Sequence, residues 1–372
     1  MADSARARPT RLHQGLPEEI VIWEILVRLP PKALLRRCRD VCRAWRHATS
    51  TRKFLLAHHG CQPTVPLASE RKYIYCGDRQ YQNITTFDNR AADAQVQHVA
   101  RVQLDDTIRL DASCDGFLLF TDKTGACFSI CNPATREHAR LSMLSSFVPL
   151  GMYQHRPTGE YRILMYPKNC NPENDGFYIF ALGSVQKPRS IGRSTEKGTF
   201  HGEAVLLHGS LHWHLEKHES NIIMVFDTIA ESFRKMCAPV VPNHAEICGI
   251  LGMSNFNGDE KIIDLWMMQD YESEVWALIY RVELPVACIS QCEVWKIVDS
   301  WSVVVDSCDG DVLVLVRCEK WLLKSSDING KLMANYHREG LRLSQHRLNQ
   351  TLVPHTFFPT LDGYSVKRWP FI

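Results

Sequence analysis

Residues 16–59 read LPEEIVIWEILVRLPPKALLRRCRDVCRAWRHATSTRKFLLAHH, and this stretch decides the fold. Pro17 suits the first position of a helix, where its missing N–H would have no partner anyway. Glu18 and Glu19 follow in the first turn and complement the positive end of the helix dipole. The Pro30-Pro31 pair stops this helix at about Arg28. Pro31 opens a second helix, to about Cys38. Asp40 is the N-cap expected for a third, to about Thr49, and Thr51 to His58 reads as a fourth. Between Ile20 and Leu29 eight of ten residues are apolar, and the two charges, Glu24 and Arg28, stand in the favourable i,i+4 order. A helix on a small domain needs one apolar stripe roughly 100° wide; this one is apolar nearly all round. A unit of about 45 residues cannot bury so much surface internally. The excess predicts a protein partner, or burial against the following domain. Arg36, Arg37, Arg39, Arg43, Arg46 and Arg52 flank the apolar positions and favour an acidic partner.

Outside this head the chain is ordinary in composition. Its 372 residues are 45% hydrophobic and 23% charged, which excludes disordered and collagen-like classes. No run approaches the ~18 consecutive apolar residues of a membrane span, so no membrane partner is expected. The net charge of +2 hides an asymmetry: residues 1–60 carry 12 basic against 5 acidic residues, the remainder 31 against 36. A basic head precedes a mildly acidic body. Residues 1–13 read as a disordered basic tail, without the apolar core of a secretory signal. The 14 cysteines are scattered, with no CxxC pair. They read as reduced, buried thiols in the cytoplasm or nucleus.

Leu16-Pro17, Ile20, Glu24-Ile25-Leu26, Arg28-Leu29-Pro30, Leu34-Leu35 and Val41-Cys42-x-x-Trp45-Arg46 together resemble an F-box in order and spacing. One departure is Ile20, where Leu is commoner, a change of shape without change of volume. The resemblance implies a helical F-box domain over residues 14–59. It implies docking onto a Skp-type adaptor, and through it onto the cullin and RING subunits of a ubiquitin ligase. It assigns Leu16, Pro17, Ile20, Ile25, Leu29, Pro30, Leu34, Leu35, Val41 and Trp45 to the adaptor interface or the core behind it, with Trp45 the more natural core residue. A nucleic-acid-binding reading of the arginine-rich stretch 36–46 fails, because its arginines alternate with Cys38, Val41, Cys42 and Trp45 and leave no clear polar face to enter a groove.

Residues 60–372 have a different texture. Short apolar runs such as Phe117–Phe120, Tyr161–Tyr166, Ile222–Phe226, Ile262–Met267 and Val312–Val316 are bounded by Gly, Asp, Asn and Pro. The body is all-β. Ser113-Cys114-Asp115-Gly116 recurs as Ser307-Cys308-Asp309-Gly310, and His208-Gly209-Ser210 is a looser copy. The markers Gly116, Gly159, Gly209, Gly258 and Gly310 stand 43 to 52 residues apart. Propeller blades repeat at about 40–50 residues, so the body predicts about six blades; a β-sandwich is the alternative. Asn132-Pro133 and Asp227-Thr228 read as turns, and Trp213, Trp266, Trp276 and Trp321 as core aromatics. With Gly159-Glu160-Tyr161-Arg162 and Phe226-Asp227-Thr228, these phrases resemble the F-box-associated, kelch-like domain of plant F-box proteins. That domain captures protein substrates.

No catalytic motif is present: no GxSxG elbow, HExxH helix or GxxxxGK[ST] phosphate loop. His212 and His214 share a strand face by the two-residue period, but no third metal ligand stands out. No cofactor and no catalytic residue are expected. The family's chemistry resides in other subunits, and an F-box protein contributes proximity. The substrate itself is not legible. The reading from another class is a carbohydrate-binding or enzymatic propeller with an incidental helical head.

Overall fold

The computed structural model describes residues 16–73, 80–88, 95–104, 108–122, 125, 127–168, 176–193, 199–216, 221–239, 245–248, 252–257, 262–283, 301–308, 311–318, 321–325, 332–337 and 341–366. The chain divides into two compact units. One comprises Met1–Gln62 with Thr351–Val353; the other comprises Pro63–Gln350 and Pro354–Ile372. The basic tail 1–13 lies outside the described residues.

The first unit is helical. Residues 18–28 coil continuously, with one wide π-type stretch at Val21–Ile25 and a tight 3-10 turn at Leu26–Arg28. Leu29 is extended, as expected of a residue before proline. The second helical segment starts at Pro31, as expected, but continues past Cys38 through Val41. Asp40 is therefore inside it and caps nothing. The third helix is Arg43–Ala48, and its N-cap is Cys42, whose Sγ accepts from the Trp45 N–H at 3.4 Å. Asp40 faces Arg46 instead, at 3.4 Å. The fourth helix, Arg52–Cys61, is capped by the Thr51 hydroxyl.

The second unit is built of strands. They run β1 (Thr64–Tyr73), β2 (Gln80–Asp88), β3 (Gln95–Leu104), β4 (Ile108–Cys114), β5 (Phe117–Asp122), β6 (Phe128–Asn132) and β7 (Glu137–Arg140). Then come β8 (Phe147–His155), β9 (Glu160–Pro167), β10 (Phe177–Ala181), β11 (Arg189–Gly192), β12 (Thr199–Leu207), β13 (Ser210–Glu216), β14 (Ile222–Asp227) and β15 (Ser232–Cys237). The last group is β16 (Ala245–Cys248), β17 (Gly252–Asn257), β18 (Ile262–Asp270), β19 (Val275–Glu283), β20 (Trp301–Cys308), β21 (Asp311–Cys318), β22 (Trp321–Ser325), β23 (Leu332–His337), β24 (Leu341–Asn349) and β25 (Asp362–Val366).

Among the described residues these strands form six antiparallel sheets, each an up-and-down blade. The inner strands β4, β8, β12, β16, β20 and β24 pack in sequence around an axis, and β24 returns to β4. The ring closes within one blade: β24, from the far end of the body, pairs with β1, from its start. This is a β-propeller, and the sandwich alternative falls with the closure. β25 adds a fifth strand outside β7.

Turn chemistry sets the blade edges. The first and second strands of the β4–β5 and β12–β13 hairpins join through two residues, Asp115-Gly116 and His208-Gly209, all at positive φ. That is the turn whose twist matches paired strands, and glycine adopts it without strain. β20 and β21 pair with the same spacing, Cys308 opposite Asp311; Asp309-Gly310 lies outside the described residues. The Gly258 marker, also outside them, falls after β17, the second strand of its blade, so it is out of phase with the other four.

A second repeat extends the turns read at Asn132-Pro133 and Asp227-Thr228. Asn132, Asp227 and Asp270 each end a third strand and accept backbone N–H groups two and three residues on. Each opens a four-residue loop closing on a left-handed residue: Arg136, Glu231 and Glu274. Core packing follows the blades. Trp213 is buried between β13 and β8 and donates to the Leu150 carbonyl at 3.3 Å. Trp266 and Trp276 pack partly buried against the next cluster, and Trp276 donates to the Cys237 carbonyl at 2.9 Å. The side chain of Trp321 is outside the described residues. The thiols divide: Cys114 and Cys131 are buried, whereas Cys42, Cys61 and Cys237 are exposed, which corrects the expectation of uniform burial. The seven cysteines whose side chains are described are free.

Candidate functional site

The head's own core is Ile22, Leu26, Val27, Leu34, Phe54 and Leu55, all buried. His58 joins them. Its Nε2 lies 2.9 Å from the Leu29 carbonyl, which Gln62 also reaches at 3.2 Å. Both groups thus serve a carbonyl at the end of the first helix that has no intrahelical partner. Burial pushes the His58 pKa down and keeps the ring neutral.

That core leaves much of the apolar surface outside. Leu16 and Val41 are 62% exposed, and Ile20 and Ile25 are 42% exposed. Pro17 and Pro30 are also exposed; Leu29, Leu35 and Trp45 are half-buried; Leu34 is fully buried. The assigned residues therefore sort into an outer set and a supporting set, with Leu34 in the core. Ile20, Trp23 and Ile25 all come from the first helical segment, Trp23 and Ile25 within its π-type stretch. Trp23 was not among the assigned residues. Its ring leans on Phe54, with centroids 5.8 Å apart, and carries the Lys53 ammonium 5.2 Å above it, while over a third of the residue faces outward. Its place in the apolar run from Ile20 to Leu29 was the available signal.

The arginines divide as well. Arg39 donates to the Thr49 carbonyl at 2.7 Å, and Arg46 donates to the Arg39 carbonyl at 3.0 Å. These two brace the second helical segment against the end of the third helix. Arg36, Arg37, Arg43 and Arg52 remain exposed beside the apolar residues. The surface is apolar with a basic margin, and it suits an apolar partner with an acidic border.

In the body, His212 and His214 do not form a metal centre. His212 is fully buried; its Nδ1 lies 3.1 Å from the Val205 carbonyl and its Nε2 2.9 Å from the Tyr271 hydroxyl. Burial pushes its pKa down to about 4. Among the described residues, no group of three or more His, Cys, Asp or Glu stands close enough to hold a metal ion. Glu274 accepts from the Cys237 N–H at 2.8 Å and faces Arg234 at 3.4 Å, a structural role. Arg189, at the start of β11, pairs with Glu231. Asp105-Asp106 lies outside the described residues. Among those described, no helix is long and apolar enough to cross a membrane.

Helical head and propeller body are two distinct parts, and comparison with known families agrees part by part. Residues 13–61 match the family described as F-box-like, and residues 86–320 match the F-box associated beta propeller domain. The chain belongs to the F-box proteins that carry an F-box associated beta propeller domain. It is 22% identical to the "F-box protein At5g49610" of Arabidopsis thaliana, over 91% of this chain and 97% of that protein. It is also 22% identical to the "Putative F-box only protein 9" of the same plant, over 74% of this chain and 78% of that one. A solved structure, "Crystal structure of Nidogen/Laminin Complex", aligns with 75% of this chain and 98% of its own at 9% identity and a TM-score of 0.45.

Proposed function

We propose that the protein is the substrate-receiving subunit of a cullin-RING ubiquitin ligase. The head binds a Skp-type adaptor, which connects it to the cullin and RING subunits. The propeller presents a protein substrate, and the protein itself performs no chemistry. The observation that carries this reading is the head's division into a closed core and an outer apolar set, Leu16, Ile20, Trp23, Ile25 and Val41. Exposed apolar residues grouped on one small domain, rimmed by charge, mark an interaction site. Leu29, Leu35 and Trp45 support that set from behind. In this reading the F-box spans residues 14–59 and the propeller residues 60–372, with blades of kelch-like descent. The protein works in the cytoplasm or nucleus of a plant.

Co-purification with a Skp-type adaptor tests the first half. The wild-type chain is expected to retain the adaptor, and the Leu16→Ala, Pro17→Ala double variant to lose it. Ubiquitination reconstituted with cullin and RING subunits tests the second half, with ubiquitin transfer onto a bound protein expected only when the head is intact. Adaptor binding indifferent to Leu16 and Pro17 would sink the proposal.

A further inference from the structure

One seam of the propeller carries a side-chain network that joins three of its turns. His155, at the end of β8, has its Nδ1 2.9 Å from the Thr158 hydroxyl, and its ring also bonds to the Ile229 backbone in the β14–β15 turn. Thr158 donates to Glu160 at 2.9 Å, and Glu160 pairs with Arg162 at 2.5 Å. Arg162 and Arg189 both reach Glu231, at the end of the β14–β15 turn. The loop between β10 and β11 is fixed at its base. There the Leu182 N–H donates to the Tyr161 carbonyl at 2.8 Å and the Ser184 N–H to the Ala181 carbonyl at 3.1 Å. Gly183, at φ 81°, lies so close to Phe357 that a Cβ on it would stand 2.8 Å from the Phe357 Cβ. What the network leaves over faces outward. Val185, in that loop, is 95% exposed, and Ile229 is 52% exposed. Arg156 and Lys187 are exposed, and among the described residues neither has a carboxylate partner. The carboxylates of the seam are engaged: Glu160 and Glu231 with arginines, and Asp227 with the N–H groups of Ile229 and Ala230 at 2.7 and 2.9 Å.

Recognition in folds of this kind lies on turns held by a rigid scaffold, and a surface fixed before binding loses less freedom on binding. Apolar side chains beside unmatched cations fit a partner that brings an apolar side chain and carboxylates together. Beyond position 60 the chain carries 31 basic against 36 acidic residues, so cations left over at one seam run against the trend of the body. A nucleic acid would be repelled by that acidic body and would make no use of Val185 and Ile229. We propose that this seam is where the propeller grips its protein substrate, and that the segment gripped is acidic with an aliphatic side chain. Its carboxylates meet Arg156 and Lys187, and its aliphatic side chain packs against Val185 and Ile229. The proposal rests on the reading of the propeller as the substrate-receiving part.

The probe is a random dodecapeptide library displayed on phage and panned against the full-length chain. Enriched sequences are expected to place two or more Asp or Glu residues beside Leu, Ile or Val. In calorimetric titration of an enriched peptide, Arg156→Glu with Lys187→Glu should weaken binding about tenfold or more, and Val185→Ser with Ile229→Ser by a similar factor. All four side chains are exposed, so thermal unfolding should not move; if the charge reversal does disturb folding, Arg156→Ala with Lys187→Ala carries the same test. Enrichment without acidic residues, no enrichment, or equal affinity for wild type and variants would overturn the proposal. So would a single-stranded oligonucleotide that binds the wild-type chain and is lost on the charge reversal but not on the Ser pair. Adaptor retention separates this proposal from the reading it rests on. The charge-reversed chain should hold the adaptor as wild type does. Failed peptide selection with the adaptor retained overturns the seam alone, whereas a wild-type chain that binds no adaptor overturns the ligase reading.

Discussion

Glu231, which the sequence did not mark, gathers three partners from the neighbouring blade. It sits at a left-handed turn position, φ 51°, a conformation that few side chains favour. Yet its carboxylate accepts from the Tyr153 hydroxyl at 2.8 Å and from Arg162 at 2.6 Å, and pairs with Arg189. One turn residue of the fourth blade thus ties together three strands of the third. Glu231→Ala leaves Arg162 to Glu160 alone and Arg189 to solvent, and should cost about 1–2 kcal/mol in denaturant unfolding. Glu231→Gly, which relieves the backbone, should recover only part of this; full recovery would show that the ion cluster contributes nothing. His212 gives a prediction in pH. Its pKa is about 4 when folded and ~6.5 when unfolded. Between these values the unfolded chain binds the proton and the folded one does not. The stabilisation is fully present above ~6.5 and falls by about 3 kcal/mol as the pH drops to 4. His212→Gln should flatten that slope by one proton in unfolding titrations from pH 4.5 to 7; an unchanged slope would assign the acid sensitivity elsewhere.

At the scale of elements, the local signals in the sequence carried well. Apolar runs marked strands such as β5, β9, β14, β18 and β21, and the Asp115-Gly116 and His208-Gly209 phrases marked two-residue hairpins. Both are read from neighbouring residues, where backbone preference and burial act together. The misplaced cap shows where such reading stops. Asp40 has the right chemistry for an N-cap, but it pairs with Arg46, the second helical segment runs on to Val41, and the cap falls to a thiol. Propensity could not rank these outcomes, because contacts between segments decided them. A thiol is a weak acceptor. Cys42→Ser should therefore stabilise the head by a few tenths to about 1 kcal/mol, read as slower amide exchange over residues 43–48. No change would mean that the 3.4 Å contact is not a cap. The turns at Asn132 and Asp227 were legible, but the construction they share with Asp270 was not, because its common feature is one Asx residue and one backbone dihedral, not a common word.

On the scale of the whole molecule, the blade number followed from repeat length, while the manner of closure did not. Nothing near residue 345 says that β24 will pair with β1, some 280 residues away in the chain; such pairings depend on the whole ring. Removing residues 341–372 deletes the strand that closes the ring, and the truncated chain should lose its cooperative unfolding transition in calorimetry. A retained transition would mean that the blades are stable unclosed. The outer set on the head was legible as an excess of apolar residues, but only the folded head separates Leu16, Ile20 and Val41 from Leu34. That separation is the central claim, and adaptor affinity measures it directly. Calorimetric titration of a purified Skp-type adaptor into the full chain should give a one-to-one complex. Ile20→Asp with Val41→Asp should weaken it about a hundredfold or more at unchanged thermal stability. Equal affinity for the wild-type and double-variant chains would contradict the account.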